Sequence, residues 1–487
     1  MPTNASSLLL NIAVVGHTNT GKTSLLRTLT RDRGFGAVEA APGTTRHVEG
    51  VRLDLGESHI HLFDTPGIED SMALLDYIER LVGQDQRVSG PERIRLFLDS
   101  PEAKGRFEQE ARVLKQLMDC AAGLYVVDVR DPVLAKHKDE LRILGWCGKP
   151  LLPVLNFLRH QPTRLSEWQQ ALADLGLHAH TQFDTVAPAL DGEITLYQKL
   201  GLLLAPQQSR LLENFGASLQ RQRAQRLADA KQLLAELLID VAAWQRSCSA
   251  DPDELEAEVQ AMQEMVRARE QHCVYALLQR YQFSQQDYLP LDLTTQGYRW
   301  ELDLFHPEVL KQLGLQMGKG VATGAVAGAT FDLLTAGLSL GTGTLVGATV
   351  GGVWQGVNEW GQKIMRKWRG QADLSVDDAV LRALALRQLA LIQALEQRGH
   401  AAQEPIQLDA TEWAETSGAP ASAPTLAPAS SAPAATAFDW RRDPLPPVLV
   451  QARHHPQWCQ MLYPEVESTE RQTAIQALAR QLQPQAG

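Results

Sequence analysis

The residues best suited to chemistry lie in one loop near the N-terminus, which reads GHTNTGKT over positions 16–23. Glycines at this spacing let backbone N–H groups surround phosphates, and a following helix adds the positive end of its dipole. Lys22 is placed to reach the outer phosphates, and the Thr23 hydroxyl can bind magnesium. The pattern predicts a nucleoside triphosphate site whose loop comprises Gly16, His17, Thr18, Asn19, Thr20, Gly21, Lys22, Thr23 and Ser24.

Two further motifs fall where a phosphate-dependent switch needs them. The segment PGTTR at 42–46 precedes the second predicted strand, and one of its threonines, Thr44 or Thr45, can bind magnesium when the γ-phosphate is present. The segment DTPG, from Asp64 to Gly67, ends the third predicted strand. The aspartate can hold magnesium through water and the Gly67 N–H can meet the γ-phosphate, so nucleotide hydrolysis would release both loops.

These motifs need an α/β sheet to position them. Residues 8–205 alternate short apolar runs with amphipathic stretches, which is typical of a doubly wound, mostly parallel sheet. The predicted strands are 8–16, 51–56, 59–67, 123–129, 150–157 and 180–186. Because the second and third are joined by only a few residues including Gly56, we predict an antiparallel hairpin there. Residues 84–105 are predicted to be an insertion.

From about residue 207 the strand pattern stops and helical periodicity replaces it. We predict an antiparallel pair of helices at 207–248 and 253–282, broken at Asp251 and Pro252, and another helix near 375–398. A further helix is expected at 468–482. The predicted organisation is a P-loop domain at 1–205, a helical domain at 206–400 with a glycine-rich hairpin at 314–362, a disordered Ala/Pro/Ser linker at 401–440, and a short helical tail at 441–487.

Composition narrows the class of protein. The formal net charge of −11 argues against a general nucleic-acid binder, because phosphate backbones need a basic surface. The five cysteines lack metal or redox spacing and indicate a reducing compartment. The N-terminus has no basic start or cleavage site, so its apolar run is expected to be a buried strand rather than a signal peptide. These features predict a cytoplasmic protein.

The combination of GxxNxGKT, PGTTR and DTPG resembles the TrmE–Era–EngA group of GTPases over roughly residues 8–205. The whole chain resembles a bacterial family in which a domain of unknown function follows such a domain. The resemblance implies GTP as substrate, magnesium held by Thr23, Thr45 and Asp64, and hydrolysis that depends on Lys22, Thr45 and Gly67. It also implies that Asn19 helps to bind a potassium ion that acts like an arginine finger; the alternative is a loop-capping side chain.

The sequence departs from that group at two places. Ile68 follows DTPG where Ras-like switches have a water-orienting glutamine, and the neighbouring acidic residues are as well explained by helix-start positions. The base-reading segment NFLR, 156–159, keeps Asn156 but has Arg159 where the group has a guanine-binding aspartate. Guanine preference is therefore open. Asp184 is a candidate for facing the base, and a solvated loop residue is the alternative.

A glycine-rich apolar zone lies far behind these motifs. Residues 321–357 contain one charged residue, Asp332, and their glycines recur at helical spacing, which favours close packing of two helices. A basic run at 363–369 follows. Two interpretations stay open: membrane contact through 320–369, with a shallow or re-entrant hairpin at the inner face of the plasma membrane, or a tight helical pair in a protein core.

The leading hypothesis is a magnesium-dependent GTPase that acts as a molecular switch, with membrane contact as one of the two open interpretations of the glycine-rich zone. The expected partners are GTP and GDP, a protein effector that the sequence does not identify, and a second copy in a nucleotide-dependent dimer. The alternatives are a dynamin-like, membrane-linked mechanical or scaffold protein, and a P-loop ATPase with relaxed base specificity, which Arg159 keeps open.

Overall fold

The chain divides into two compact units. The computed structural model describes residues 9–32, 49–55, 58–83, 87–159, 162–249, 251–288, 305, 329–331, 371–402, 406, 438–466 and 468–482. Unit 1 comprises Met1–Gln225 and Glu396–Glu404, and unit 2 comprises Arg226–Leu395 and Pro405–Gly487.

Unit 1 is built on a six-stranded sheet. Its strands are β1 (Leu9–Val15), β2 (Glu49–Leu55), β3 (Ser58–Asp64), β4 (Ala122–Asp128), β5 (Leu151–Asn156) and β6 (Thr181–Gln182). Their order is β2-β3-β1-β4-β5-β6. The β2–β3 pair is antiparallel and the other pairs are parallel. The predicted α/β fold class and the predicted hairpin are confirmed.

Helices cover both faces of this sheet. They are α1 (Lys22–Thr30), α2 (Ser71–Val82), α3 (Gly90–Leu98), α4 (Glu108–Asp119), α5 (Ala135–Trp146), α6 (Leu165–Asp174) and α7 (Gly192–Gly201). Side chains of β1 alternate between two cores, as the pleat requires. Ala13 and Val15 pack into the core that contains α2, α4 and α5. Ile12 and Val14 pack into the other core, with α1 and α7.

The predicted insertion contributes to the first of these cores. Within its described part, helix α3 buries Ile94 and Phe97 completely, and a short 3-10 helix, Pro101–Lys104, follows. Phe97 contacts Tyr77 of α2 and Phe107 edge-on, at ring-centroid distances of 6.2 and 6.3 Å. The segment is therefore an integral part of the apolar core beside α2.

Among the described residues after α7, five α-helices are present. They are α8 (Pro206–Ala242), α9 (Pro252–Arg280), α10 (Asp378–Glu396), α11 (Pro447–Arg453) and α12 (Thr469–Gln481). The predicted domain boundary at 205 precedes α8, whereas the division between the units falls inside this helix. The physical reason is that Leu211, Phe215 and Leu219 of α8 are buried in the same core as α1 and α7.

The region after residue 207 is mostly helical, as predicted, but it also contains strands that the sequence pattern did not indicate. Three short antiparallel strands, β7 (Gln245–Ser249), β8 (Ala329–Phe331) and β9 (Gln371–Val376), form a second sheet in the order β7-β9-β8. The sequence QRSCS of β7 lacks an apolar alternation, so no period-2 pattern distinguishes it from the end of a helix. Strand β8 also lies inside the predicted helical hairpin at 314–362.

Helices α8 and α9 form the antiparallel pair that the sequence predicts. Arg280 of α9 pairs with Asp229 of α8, and Arg269 pairs with Asp240 at 2.8 Å, so residue numbers rise along one helix as they fall along the other. Asp251 starts α9 because its side chain accepts the backbone N–H groups of residues 253 and 254.

The C-terminal tail is part of the core of unit 2. Trp458, Ile475 and Leu478 are buried in the same cluster as residues of α8, α9 and α10. Asp240 of α8 is fully buried and accepts hydrogen bonds from Arg471 of α12 at 2.7 Å and from Arg269 at 2.8 Å. This ion cluster ties the tail to α8 and α9, because a buried carboxylate is tolerated only when it is paired.

Several predicted features lie outside the described residues. They are the glycine-rich zone apart from β8, most of the Ala/Pro/Ser linker, and the PGTTR segment at 42–46. Among the residues that the structure describes, no helix has the length and apolar character needed to cross a membrane.

Candidate functional site

The phosphate loop joins β1 to α1 and depends on its two glycines. Gly16 has φ +142° and Gly21 has φ +94°, values that side-chain-bearing residues rarely adopt. A Cβ on Gly16 would lie 2.6 Å from the Val126 carbonyl oxygen, and one on Gly21 would lie 2.4 Å from Asn156 Nδ2. The loop is thus packed against β4 and β5, and these contacts fix its backbone.

Lys22 is buried within this loop. Its Nζ donates hydrogen bonds to the carbonyl oxygens of Gly16, at 2.9 Å, and His17, at 2.8 Å. Burial lowers the pKa of Lys22, while the acidic side chains of Asp64 and Glu140 act in the opposite direction. The ammonium group is therefore held beside the loop backbone, where an anion with several oxygens would find a concentrated positive charge.

Thr23 and Asp64 meet although 41 residues separate them. The Thr23 hydroxyl donates to Asp64 Oδ2 at 2.6 Å. Asp64 ends β3 and is almost fully buried, and the adjacent Thr65 hydroxyl donates to the Val14 carbonyl of β1 at 2.7 Å. A hydroxyl and a carboxylate at one point are the hard oxygen donors that magnesium prefers, so these residues fit that ion.

Gly67 closes directly onto the phosphate loop. A Cβ at this position would lie 2.3 Å from the hydroxyl oxygen of Thr18 and 2.6 Å from its backbone nitrogen. The Gly67 carbonyl accepts a hydrogen bond from Gln109 of α4 at 2.7 Å. His17 and Ile68 also form a parallel backbone bridge. The DTPG segment and the phosphate loop therefore form one packed surface.

The residues that follow Gly67 are engaged in contacts that do not position a water molecule. The Ile68 side chain is fully buried in the core with α2 and α4. Asp70 caps α2 by accepting the Ala73 N–H at 3.1 Å, and it pairs with Arg106 at 3.1 Å. The interpretation of the acidic residues as helix-start residues agrees with the Asp70 contacts.

The other predicted residues of the phosphate loop differ in their exposure and contacts. Asn19 is exposed and has φ +67°, a conformation that asparagine tolerates better than most residues. Thr20 is buried and its hydroxyl donates to the His17 carbonyl at 3.0 Å. Ser24 is half-buried in the first turn of α1. Thr44 and Thr45 lie outside the described residues.

Asn156 connects three loops at the end of β5. It is fully buried, and its Nδ2 donates to the Thr20 carbonyl of the phosphate loop at 3.1 Å. Its Oδ1 accepts the N–H groups of Phe157, at 2.8 Å, and Thr185, at 2.9 Å. The side chain thus fixes the phosphate loop, the 156–159 segment and the loop after β6 relative to one another. We call residues 184–187 the base loop, because Asp184 is the residue that the sequence offers as a candidate for facing the base.

Asp184 organises this base loop. Its Oδ1 accepts the backbone N–H groups of Val186, at 2.9 Å, and Ala187, at 3.2 Å. Its Oδ2 accepts the N–H of Arg159 at 3.2 Å. These bonds explain why the side chain is 5% exposed, and they correct the alternative of a solvated loop residue.

Phe157 and Arg159, which follow Asn156 in the 156–159 segment, have different surroundings. Phe157 has φ +61° and lies under the guanidinium of Arg130, 3.9 Å from the ring centroid. Arg130 is itself held by Asp128 at the end of β4, through a 2.6 Å bond. Arg159 is exposed. The Phe157 ring is thus held between Arg130 and the phosphate loop at Gly21.

The structure contains a buried polar cluster behind the phosphate loop that the sequence did not predict. Glu140 of α5 is fully buried, 3.7 Å from His17 Nδ1 and 3.5 Å from the Tyr125 hydroxyl. The His17 ring also lies 2.8 Å from Lys136 Nζ and edge-on to His137. Burial raises the pKa of Glu140 to about 8 and lowers that of His17. The only sequence signal is a carboxylate on the apolar face of α5.

The fold and the phosphate loop define the N-terminal part as an α/β domain of the P-loop type. Residues 11–157 match the model of a family described as "50S ribosome-binding GTPase". Residues 169–480, more than half of the chain, match the model of a family described as "Domain of unknown function (DUF3482)". The chain therefore belongs to this second family, and its resemblance to TrmE-, Era- and EngA-like GTPases is confirmed.

Individual relatives are similar to this chain over short stretches. The tRNA modification GTPase MnmE of Jannaschia sp. is 34% identical over 88 residues, which is 18% of this chain and 20% of that protein. The GTPase Der of Coxiella burnetii is 26% identical over 136 residues, which is 27% of this chain and 30% of that protein. The chain thus spans less than a third of the length of these relatives.

Among solved structures, Aquifex aeolicus Era bound to GDP·AlF4− is similar to this chain. The sequences are 18% identical, the match covers 41% of this chain and 57% of that one, and the TM-score is 0.29.

Proposed function

We propose that this protein binds GTP and hydrolyses it with the help of magnesium, and that it acts as a molecular switch. The observation that carries the proposal is the convergence of three motif segments on one point. Lys22 lies inside the loop, Thr23 bonds to Asp64 at 2.6 Å, and Asn156 ties the same loop to the base loop. Triphosphate, magnesium and base would each have a group ready to bind them.

The proposed roles follow from these positions. Lys22 and the N–H groups of the phosphate loop bind the phosphates, and the Gly67 N–H meets the γ-phosphate. Thr23, Asp64 and Thr45 would hold magnesium, which neutralises charge on the β- and γ-phosphate oxygens when it is bound. Gly67 is packed against Thr18 of the phosphate loop, so a γ-phosphate that binds there would change the position of the DTPG segment. A switch requires such a dependence of a loop's position on the γ-phosphate.

A test of the phosphate site compares Lys22→Ala with a matched surface control, Lys138→Ala, whose side chain is exposed on α5. Calorimetry should show that GTP affinity is lost in the first variant and kept in the second. Thr45→Ala should keep nucleotide binding and lose magnesium-dependent hydrolysis. Undiminished GTP affinity in the Lys22 variant would contradict the assignment of this site.

Hydrolysis needs positive charge near the γ-phosphate and an oriented water. With Ile68 buried in the core, the residue after DTPG does not orient that water through a polar side chain. Asn19, exposed at the rim of the phosphate loop, is the residue we propose to bind a potassium ion, which would supply charge as an arginine finger does. Hydrolysis should be faster in potassium chloride than in sodium chloride at equal ionic strength, and Asn19→Ala should remove the difference.

Base preference is proposed to be GTP over ATP, by a smaller margin than in relatives with an aspartate at position 159. Asn156 supports the base loop, but Arg159 cannot accept hydrogen bonds from guanine. The competing function, an ATPase, predicts that ATP displaces a fluorescent GTP analogue as well as unlabelled GTP does. A competition titration at fixed magnesium concentration separates the two.

Membrane contact through residues 320–369 is the second part of the proposal, and the apolar composition and basic flank of that zone support it. The proposal also includes a protein effector and a nucleotide-dependent dimer. The alternative is a dynamin-like scaffold protein, which would also need contact with a membrane. Carbonate-washed membranes should retain the full chain and lose a variant that lacks 320–357. A full chain that stays in the wash, with and without a GTP analogue, would exclude this part.

A further inference from the structure

A short segment from the far end of the chain lies against the base loop. From Glu396, the last residue of α10, the chain belongs to unit 1 again, and residues 396–402 form this segment. The Gly399 N–H donates to the Val186 carbonyl at 2.8 Å. A Cβ on Gly399 would lie 2.0 Å from the Thr185 carbonyl oxygen and 3.1 Å from that of Val186. Only glycine fits here, because both obstacles are backbone atoms.

Gly399 lies against Thr185, the residue whose N–H is held by Asn156. The Thr185 N–H donates to Asn156 Oδ1 at 2.9 Å, and the Thr185 carbonyl accepts the Thr28 hydroxyl of α1 at 2.8 Å. Asn156 in turn donates to the Thr20 carbonyl of the phosphate loop. The base loop is therefore held between α1, β5 and Gly399, and a displacement at Gly399 acts on residues one bond away from Asn156.

The start of the returning segment is fixed by a cluster around Arg223 of α8. Arg223 Nε donates to Glu396 Oε2 at 2.8 Å. Its Nη1 donates to the Leu190 carbonyl at 2.8 Å and to Asp191 Oδ1 at 3.2 Å. Residues 190 and 191 follow the base loop in sequence. The segment is thus attached to unit 1 at two points. Glu396 is held through Arg223 next to residues 190 and 191, and Gly399 is bonded to the base loop itself.

We propose that residues 396–402 are a positioning segment that sets how long a nucleotide stays bound, with Gly399 as its positioning residue. The inference rests on the proposed function, since it concerns the base side of the same nucleotide site. Because the segment continues α10, which runs through unit 2 up to Leu395, any event that shifts the end of α10 reaches the base loop through the chain itself. Nucleotide release is then the step that the C-terminal domain controls.

The test compares Gly399→Ala with Gly145→Ala, where a Cβ meets nothing within 4 Å. The readouts are the dissociation rate of a fluorescent GDP analogue from the full chain and the single-turnover rate of GTP hydrolysis. Losing the Gly399–Val186 bond should speed dissociation about tenfold in the first variant only. Hydrolysis of bound GTP should be unchanged, since Lys22, Thr23 and Asp64 are not moved.

A milder variant, Glu396→Ala, removes the partner of Arg223 and leaves Gly399 in place. It should accelerate dissociation by about two- to threefold, since a single ion pair that is still partly open to solvent contributes little. This variant decides the question if circular dichroism shows that Gly399→Ala has not folded.

The possible results distinguish a failure of the positioning role from a failure of the proposed nucleotide binding. If the unaltered chain does not bind the GDP analogue, the proposed function fails and this inference fails with it. If it binds, but Gly399→Ala and Glu396→Ala release the analogue at the unaltered rate, the inference alone is overturned. It is also overturned if single-turnover hydrolysis slows in step with thermal stability, because that pattern indicates a general structural role.

Discussion

Glu140 offers a quantitative test of the buried cluster behind the phosphate loop. Its carboxyl group is fully buried and faces His17, Tyr125, Lys22 and Lys136. Burial raises its pKa to about 8 from an ordinary value of 4.5, although the two lysines favour the charged form. Between those pH values the folded chain keeps a proton that the unfolded chain has lost, so the free energy of unfolding must fall as pH rises.

The size of this effect follows from the pKa difference. One pKa unit corresponds to about 1.4 kcal/mol, so the decline between pH 4.5 and pH 8 has an upper limit of about 5 kcal/mol. Glu140→Gln keeps the shape of the neutral acid and cannot ionise. In the nucleotide-free protein, the variant should match the unaltered chain near pH 5 and become more stable than it by several kcal/mol at pH 9.

The assay is urea denaturation of the nucleotide-free chain at several pH values from 5 to 9. Groups that titrate equally in both proteins cancel in the difference between the two unfolding free energies. Glu92→Gln, an exposed substitution on α3 in the same unit, controls for the change in net charge. The reasoning is refuted if the difference between Glu140→Gln and the unaltered chain changes by less than about 1 kcal/mol over this range.

Three further predictions concern other contacts. Asn156→Ala removes three buried hydrogen bonds and should lower the free energy of unfolding by about 2–4 kcal/mol and weaken GDP binding, as denaturation and calorimetry can show. Asp240→Ala leaves Arg269 and Arg471 unpaired beside the core; it should cost about 3–5 kcal/mol and expose the tail to proteolysis. Gly67→Ala should displace the DTPG segment from Thr18 and slow GTP hydrolysis, as measured by phosphate release. An unaltered rate of hydrolysis would contradict the packing described.

The parts of the fold that follow from local patterns could be predicted from the sequence. The phosphate loop is specified by eight consecutive residues, and the strands of unit 1 carry apolar runs that a buried parallel sheet requires. Helix α9 could be placed because Asp251 and Pro252 mark its start. In each of these elements the residues that decide the structure are neighbours in sequence.

The parts that were missed depend on contacts between distant residues. Strand β7 has a polar sequence, and only its pairing with β9 makes it a strand. The burial of the tail depends on Asp240 meeting Arg471, whose positions along the chain give no hint of each other. Gly399 looks like a helix terminator after α10, and only its contact with Thr185 reveals why the position excludes a side chain.

The position of Gly399 also bears on the order in which the protein is made and folds. Val186 and Gly399 are separated by roughly 210 residues, so at about 5–20 residues per second the ribosome needs about 10–40 s to supply the second after the first. During that interval the nascent chain already contains every strand of the N-terminal sheet, but the base loop lacks one of its supports. If Gly399 has the proposed positioning role, nascent chains release bound nucleotide faster than the finished protein, and firm retention of the nucleotide begins only once synthesis has passed α10.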